Sequence, residues 1–317
     1  MNFESTEQHS LQQLQYIREL IQKHHQLTRQ MQAWLVVQLV QHGWPKVHES
    51  IKKSRDQARS VDLQIFLDKL LAQTYVVNEI PDWSSIRTNT KIITPYYRLN
   101  GYLYFPGNSY GHKLVIIFST MYNNFYLSNA IVSSLLASWG VSVLLLKNAT
   151  QLQYLNGVQG LGDNLFKVSE GISKIIEQEK IQDVYILGFS SGGYGSLFLS
   201  TQIPCNAYLG FSIHTHLADR AKFPVGKFLT LEVLSKAPSN SLLNLRDVID
   251  LEKSKIKRTI VYGDNSRGDQ LQALNLQECD GVELIGLPNC GHATVAEVIE
   301  NKTFIPMLKK LIFSTAS

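Results

Sequence analysis

The 317-residue chain has few cysteines, and none of them stands at the spacing of a metal-binding or redox motif. Cys205, Cys279 and Cys290 are odd in number and form no C-x-x-C pair. This pattern argues against a disulfide framework or a zinc site and is typical of a reducing compartment. We therefore expect a cytoplasmic protein that needs no metal and no cofactor.

Long apolar runs are also missing from the sequence. The most apolar windows, KLVIIF and VSVLLL, are far shorter than the roughly 20 residues that a membrane span needs. The N-terminal MNFESTEQHSLQQLQ is polar, unlike a secretory signal peptide. Both observations predict a protein without a membrane span.

Charge of one sign is not concentrated anywhere in the chain. The net charge is +4, and the densest basic patches, IKKSR and KSKIKR, contain no aromatic residues. Nucleic-acid binding usually requires a more concentrated basic stripe, so we expect no nucleic-acid partner.

Residues 1–75 are rich in Gln, Lys, Arg and Leu, and their apolar residues recur at helical spacing. A first helix is indicated by Leu11, Leu14, Ile17, Ile21, Met31 and Leu35, with a seven-residue register at Leu20, Leu27 and Trp34. Gly43 followed by Trp44-Pro45 predicts a stop and a restart. A second helix is indicated by Val47, Ile51, Ala58, Val61, Ile65 and Leu70. The sequence therefore predicts a helical hairpin whose apolar face covers its own body or forms a homo-oligomer.

Residues 76–317 alternate short β-rich runs with helical stretches. Continuous apolar runs predict strands of a parallel sheet covered on both faces, at residues 114–119, 141–146, 183–189, 207–212, 258–263 and 282–287. Helical patterns lie between them, for example at 127–140 and 164–180. Weaker runs at 90–99 and 101–107 indicate an antiparallel edge. The predicted fold class is α/β, a doubly wound and mostly parallel sheet.

A G-x-S-x-G motif, Gly188-Phe189-Ser190-Ser191-Gly192, follows one of the predicted strands. Between a strand and a helix this motif forms an elbow that holds the serine in a strained conformation with its hydroxyl exposed. The flanking glycines are needed because side chains there would collide with the neighbouring strand and helix. Ser190 is therefore the predicted nucleophile.

A serine hydroxyl needs a base and an orienting carboxylate, which in such sheets follow in the order serine, acid, histidine. His292 comes directly after the last predicted strand, where ligands bind in parallel sheets. Asp264 and Asp269 both follow the preceding strand, and Asp269 is alternatively a helix N-cap. The residues alone leave the acid open between them. For His214 and His216, which follow the strand after the nucleophile, we expect a structural role, with lining of the pocket as the alternative.

Backbone amides are expected to stabilise the oxyanion that forms when the serine attacks a carbonyl. One is the N–H of Ser191, after the nucleophile, and the second comes from the loop after strand 114–119. Position favours Met121, with Thr120 as the alternative.

These motifs resemble those of the α/β-hydrolase superfamily over residues 90–315. The resemblance rests on GFSSGGYGSLFL and CGHAT, and on a late D-x-x-x-A motif at Asp269 and Ala273 that precedes the G-H pair. It implies that Asp269, rather than Asp264, is the acid. Many esterases have a His-Gly pair before the oxyanion loop, where this chain has Ser119-Thr120.

In the superfamily, an insertion after the strand that follows the nucleophile usually forms a cap. Here the resemblance implies a cap at about 213–257, whose Arg220, Lys222 and Lys227 face either an anionic substrate or solvent.

The resulting hypothesis is a serine-dependent acyl-ester hydrolase that forms an acyl-enzyme and acts on a small-molecule or saccharide ester. An O-acyltransferase, for example on a saccharide hydroxyl, would use the same residues. A rival from another class is a non-catalytic, hydrolase-like interaction module with a helical arm.

Overall fold

A computed structural model describes residues 35, 38, 42–59, 61–82, 85–86, 88–89, 91–93, 100–148, 150, 152–225, 229–239, 241–250 and 256–314. Within them the strands are β1 Tyr102–Phe105, β2 Tyr110–Phe118, β3 Val141–Leu146, β4 Asp183–Phe189, β5 Ala207–Phe211, β6 Lys257–Gly263 and β7 Val282–Leu287. The helices are α1 Trp44–Asp56, α2 Val61–Asn78, α3 Asn129–Ser138, α4 Leu165–Gln178, α5 Gly193–Gln202, α6 Leu231–Leu234, α7 Arg246–Ile249, α8 Arg267–Leu274, α9 Thr294–Glu300 and α10 Phe304–Phe313.

The strands form one sheet in the order β1-β3-β2-β4-β5-β6-β7. Only the edge strand β1 is antiparallel to its neighbour, and the other pairs are parallel. This arrangement confirms the predicted fold class. The predicted run at 101–107 forms the antiparallel edge, whereas residues 91–93 of the run at 90–99 are helical rather than extended. Residues 94–99 lie outside the described ranges.

Both faces of the sheet are buried at its centre, which explains why residues 114–118 of β2 form a continuous apolar run. Side chains alternate across a strand, so Val115 and Ile117 of β2 point to one face and Ile116 to the other, all fully buried. The first face is covered by α1, α2, α3, α9 and α10. The second is covered by α4, α5, α8 and buried residues of the segment 213–257.

The predicted restart of the N-terminal helices is confirmed at Gly43, where φ is +77° and α1 begins with Pro45 in its first turn. The single second helix predicted from Val47 to Leu70 is wrong, because the chain breaks between α1 and α2. The connection between the two helices is held by hydrogen bonds of its own: the Ala58 N–H donates to the Arg55 carbonyl, and the Ala58 carbonyl accepts from the Gln64 side chain.

Helix α2 packs against α3 and α9, and its Leu70 and Val77 are fully buried in the core on that face. The boundary placed between residues 75 and 76 lies inside α2, which continues to Asn78, and the division of the chain into two domains stays a prediction. Apart from Leu35, the residues named for the first helix lie outside the described ranges. A homo-oligomeric interface on the N-terminal helices stays a prediction.

The register of the sheet determines which loops meet. Phe118 at the end of β2 pairs with Gly188 of β4, and Phe189 of β4 pairs with Phe211 at the end of β5. The loops after β2, β4 and β5 therefore leave the sheet side by side at its carboxyl edge. In the part of the chain described, no helix has the length and apolar character that crossing a bilayer requires.

Candidate active site

The turn after β4 has the strained geometry expected of an elbow. Ser190 has φ of +51°, in the left-handed region that non-glycine residues seldom adopt. It begins a short 3₁₀ turn, Ser190–Gly192, that leads directly into α5. A strained residue of this kind costs on the order of 1–3 kcal/mol and persists only where the surrounding structure holds it.

The two glycines of the motif are required by close packing. A Cβ on Gly188 would collide with the Ser196 hydroxyl of α5, and one on Gly192 would collide with the carbonyl oxygen of Phe118 at the end of β2. The predicted collisions with the neighbouring strand and helix are confirmed. These contacts hold the elbow between β2 and α5.

Ser190, His292 and Asp269 form a continuous chain of hydrogen bonds. The Ser190 Oγ lies 2.8 Å from His292 Nε2. His292 Nδ1 lies 2.9 Å and 3.0 Å from the two carboxylate oxygens of Asp269. In the neutral ring with its proton on Nδ1, the imidazole donates to Asp269 and its Nε2 accepts from the serine hydroxyl.

The structure brings Asp269 to the histidine, and not Asp264. Asp269 lies in the first turn of α8 with only 6% of its surface exposed. The N-cap of that helix is Ser266, whose side chain accepts from the Asp269 amide, so Asp269 is not the cap. Asp264 is exposed, and its amide donates to the carbonyl of Leu287.

The loops after β6 and β7 are tied to each other, which holds the carboxylate and the imidazole together. The Asn265 amide donates to the Cys290 carbonyl at 3.0 Å. Beyond the histidine, the buried hydroxyl of Thr294 lies 2.9 Å from that of Ser212, at the end of β5. The His292 loop is thus attached to the loop after β6 and to the end of β5.

An aromatic side chain lies beside the imidazole. The Phe189 ring is centred 5.8 Å from the His292 ring, and Phe125 contacts Phe189 edge to face. The His292 side chain is nevertheless 48% exposed. One side of the imidazole is therefore apolar while the rest remains open to water.

The expected oxyanion loop, residues 119–124, closes as a tight turn beside the elbow. Thr120 N–H donates to the Asn124 carbonyl at 2.8 Å, which removes Thr120 as a ready donor. Met121 N–H points towards the elbow, but its acceptor there is the side-chain hydroxyl of Ser191, at 2.7 Å. The amide of Met121 is thus at the expected place and already occupied.

Two further histidines follow β5: His214 is buried and His216 is partly buried. His214 follows β5 and receives a hydrogen bond from Gln153 at 2.7 Å. Burial and, to a smaller extent, the nearby His292 lower the pKa of His214 to about 4, while Asp269 opposes the shift. His216 stacks on Phe223 at 4.5 Å, and burial lowers its pKa as well.

Sequence reasoning missed Gln272, which joins the segment 213–257 to the helix that carries Asp269. Its fully buried side-chain oxygen accepts from the amides of Thr215 and His216 at 2.7 Å and 2.9 Å. Its amide nitrogen donates to three carbonyls of the same segment. The only sequence signal is a glutamine three residues after Asp269, on a helix without distinct apolar and polar faces.

The segment proposed as a cap contains the short helices α6 and α7 and packs beside α5. Tyr194 of α5 donates to the Leu242 carbonyl at 2.6 Å, and buried Leu245 and Ile249 join the core on that face. Among its cations, Lys222 lies over the ring of Phe223, while Lys227 is outside the described residues. A role of this segment as a cap stays a prediction.

No protein-family model matches the chain, and no curated protein sequence matches it either. It is similar to solved structures, including an alpha/beta hydrolase from a Medee basin deep-sea metagenome (16% identity, 68% of this chain and 94% of that one, TM-score 0.49). Others are MenH from S. aureus (14%, 66% and 98%, TM-score 0.46) and an esterase from Exiguobacterium antarcticum (14%, 67% and 95%, TM-score 0.45).

All three similarities have an identity below 25% and a TM-score below 0.5. At these identities and TM-scores they carry no argument about which reaction this chain performs. The α/β-hydrolase-like fold itself follows from the strand order and from the elbow after β4. Any activity has to be argued from the side chains of the site.

Proposed function

We propose that the protein is a serine-dependent acyl-ester hydrolase in which Ser190 is the nucleophile, His292 the base and Asp269 the orienting acid. The observation that carries this proposal is the hydrogen-bonded chain from the Ser190 hydroxyl through His292 to a buried Asp269. The strained φ of Ser190 supports it, because such strain is concentrated at functional sites.

The reaction proceeds by two acyl transfers. Ser190 Oγ attacks the ester carbonyl while its proton passes to His292 Nε2, and Asp269 stabilises the resulting imidazolium. The carbonyl π electrons move to the oxygen and return when the bond to the leaving alcohol breaks. His292 gives its proton to that alcohol. Water then repeats the sequence on the acyl-enzyme, releasing the acid and restoring Ser190.

The exposure of His292 favours hydrolysis over O-acyl transfer. Transfer to a saccharide hydroxyl requires that water be kept away from the acyl-enzyme, whereas nearly half of this imidazole side chain is accessible. A non-catalytic interaction module would have no need for the hydrogen-bonded Ser-His-Asp chain.

The test is a stopped-flow measurement of p-nitrophenyl acetate hydrolysis. We expect a burst of p-nitrophenol equal to the enzyme concentration, followed by slower turnover, because an activated ester acylates the serine faster than water deacylates it. Ser190→Ala should lose both phases. Ser173→Ala, the same change at an exposed position of α4, should keep both.

Turnover that survives Ser190→Ala would contradict the assignment of the nucleophile. A folded wild type with no turnover would favour the interaction module. To separate hydrolysis from transfer, a saccharide acceptor is added: a rate of acid release that stays constant supports the hydrolase, and its replacement by acylated saccharide supports the transferase.

A further inference from the structure

The side-chain hydroxyl of Ser191 engages one of the two backbone amides expected to bind the oxyanion. It accepts the N–H of Met121 at 2.7 Å, a short distance for an N–H···O hydrogen bond. Ser191 is itself partly exposed beside the nucleophile. Because its N–H is bonded to this hydroxyl, the Met121 amide does not donate directly to a group bound at Ser190.

No other amide of the adjoining turn is directed at the site. Thr120 N–H donates to the Asn124 carbonyl, and Asn123 N–H donates to the Thr120 carbonyl, both at 2.8 Å. Tyr122 N–H donates to the Thr120 hydroxyl at 3.2 Å. The backbone of residues 120–123 thus has its amides satisfied before a substrate arrives.

The hydroxyl of Ser191 has the donor that the backbone of this turn cannot offer. A serine hydroxyl accepts with its lone pairs and still has one O–H to donate. Accepting from an amide polarises the hydroxyl and strengthens its own donation, since hydrogen bonds in a chain reinforce one another. The Ser191 N–H lies at the start of a helical turn, where amides have no partner within the helix.

Given the proposed function, on which this inference rests, we propose that the Ser191 hydroxyl is a catalytic oxyanion donor. When Ser190 Oγ bonds to the carbonyl carbon, the developing oxyanion accepts from the N–H and the O–H of Ser191. Met121 N–H does not contact the oxyanion; it donates to the Ser191 hydroxyl and polarises it. No proton is transferred from Ser191, and its hydrogen bond weakens again when the leaving group departs.

A rival arrangement makes the opposite prediction. If the hydroxyl only blocked Met121 N–H and rotated away when substrate bound, removing it would leave the oxyanion site free and the reaction faster. If it donates, removing it takes a hydrogen bond away from the oxyanion and makes the reaction slower. The sign of the change in kcat therefore distinguishes the two.

The experiment compares wild type, Ser191→Ala and the control Ser173→Ala with p-nitrophenyl acetate as substrate. Removing one oxyanion donor lowers kcat by about 10²–10³-fold in a known case. We expect about 10- to 100-fold here, because the Ser191 N–H remains. KM and the melting temperature should change little. The inhibition constant of a trifluoromethyl ketone, whose adduct is an oxyanion, should rise by the factor by which kcat/KM falls.

An unchanged or higher kcat in Ser191→Ala would overturn this inference, and so would an inhibition constant that does not follow kcat/KM. In either case, turnover by the wild type would still support the proposed function. An inactive wild type would instead contradict the proposed function, and this inference with it. If Ser191→Ala melts well below wild type, Ser191→Cys replaces it. That variant keeps the shape of the side chain with a much weaker donor and should show the same loss.

Discussion

The interior of the sheet and the loops at its carboxyl edge are stabilised in different ways. Within the strands, side chains such as Ile116 and Ile186 are apolar and fully buried, and they pack on covering helices. At the edge, the loops are held by hydrogen bonds between polar side chains and backbone. Positive φ angles at described non-glycine residues are concentrated there, at Asn123, Tyr126, Gln153, Tyr154, Ser190, Ser212 and Asn289.

The difference shows where stability and activity are determined. Apolar packing fixes the positions of the strand ends, and the strained, polar loops arrange the reactive groups on that frame. Changes in the strands should therefore lower stability with little specific effect on the chemistry. Changes in the loops should alter activity first, and some of them should raise stability.

The largest effect is expected at the carboxylate. Asp269→Asn should lower kcat/KM for p-nitrophenyl acetate by about 10³–10⁴-fold, because an amide neither fixes the tautomer of His292 nor stabilises its protonated form. Asp264→Asn is the matched control and should change activity less than about threefold, since Asp264 is exposed and away from the imidazole. The opposite order would move the acid to Asp264.

The next largest effect is expected from a substitution that creates a cavity in the interior of the sheet. Ile186→Ala should lower the free energy of unfolding by about 2–5 kcal/mol, because Ile186 is fully buried on β4. Urea denaturation measures the change. Leu231→Ala, at a side chain that is 67% exposed, should cost less than about 0.5 kcal/mol. Equal losses would mean that the strand interior is not the main source of stability.

The buried His214 should make stability depend on pH. Its pKa is lowered from 6.5 to about 4. Between these two pH values, the histidine binds a proton in the unfolded chain but stays neutral in the folded chain. The free energy of unfolding should therefore fall between pH 6.5 and 4, by up to about 1.4 kcal/mol per pH unit from this group. His214→Asn should remove that part of the slope, and His112→Asn, at an exposed histidine, should leave it.

A smaller change of opposite sign is expected at the nucleophile. Ser190→Gly should raise the free energy of unfolding by about 1 kcal/mol, because glycine adopts φ of +51° without strain. Ser173→Gly, in the middle of α4, should instead lower it by about 0.5–1 kcal/mol. Thermal denaturation of both variants measures these changes. A lower stability of Ser190→Gly than of the wild type would show that the elbow stores no strain.

The sequence predicts the sheet well because its strands are buried on both faces, so apolar runs such as 114–119 mark them directly. The elbow is equally predictable, since Gly188 and Gly192 are required by close contacts. The break between α1 and α2 is not predicted, because it depends on hydrogen bonds of Ala58 that the apolar spacing of this residue does not encode. The helical periodicity of the residues before and after the break predicts one continuous helix instead.

The details of the loops are less accessible to sequence analysis. Choosing between Asp264 and Asp269 depends on where α8 begins, and Ser266 rather than either aspartate caps it. The engagement of Met121 N–H by Ser191 depends on a side-chain orientation that spacing does not encode. Gln272 joins two elements far apart in sequence and has no local pattern at all.

The most direct test of the central claim, that Ser190 is an activated nucleophile, is intact-mass spectrometry after treatment with a fluorophosphonate. Attack by an activated serine displaces fluoride and adds one phosphonyl group to the protein. We predict a single adduct on wild type that is absent from folded Ser190→Ala. A folded wild type that gains no adduct, or an adduct that persists in Ser190→Ala, would contradict it.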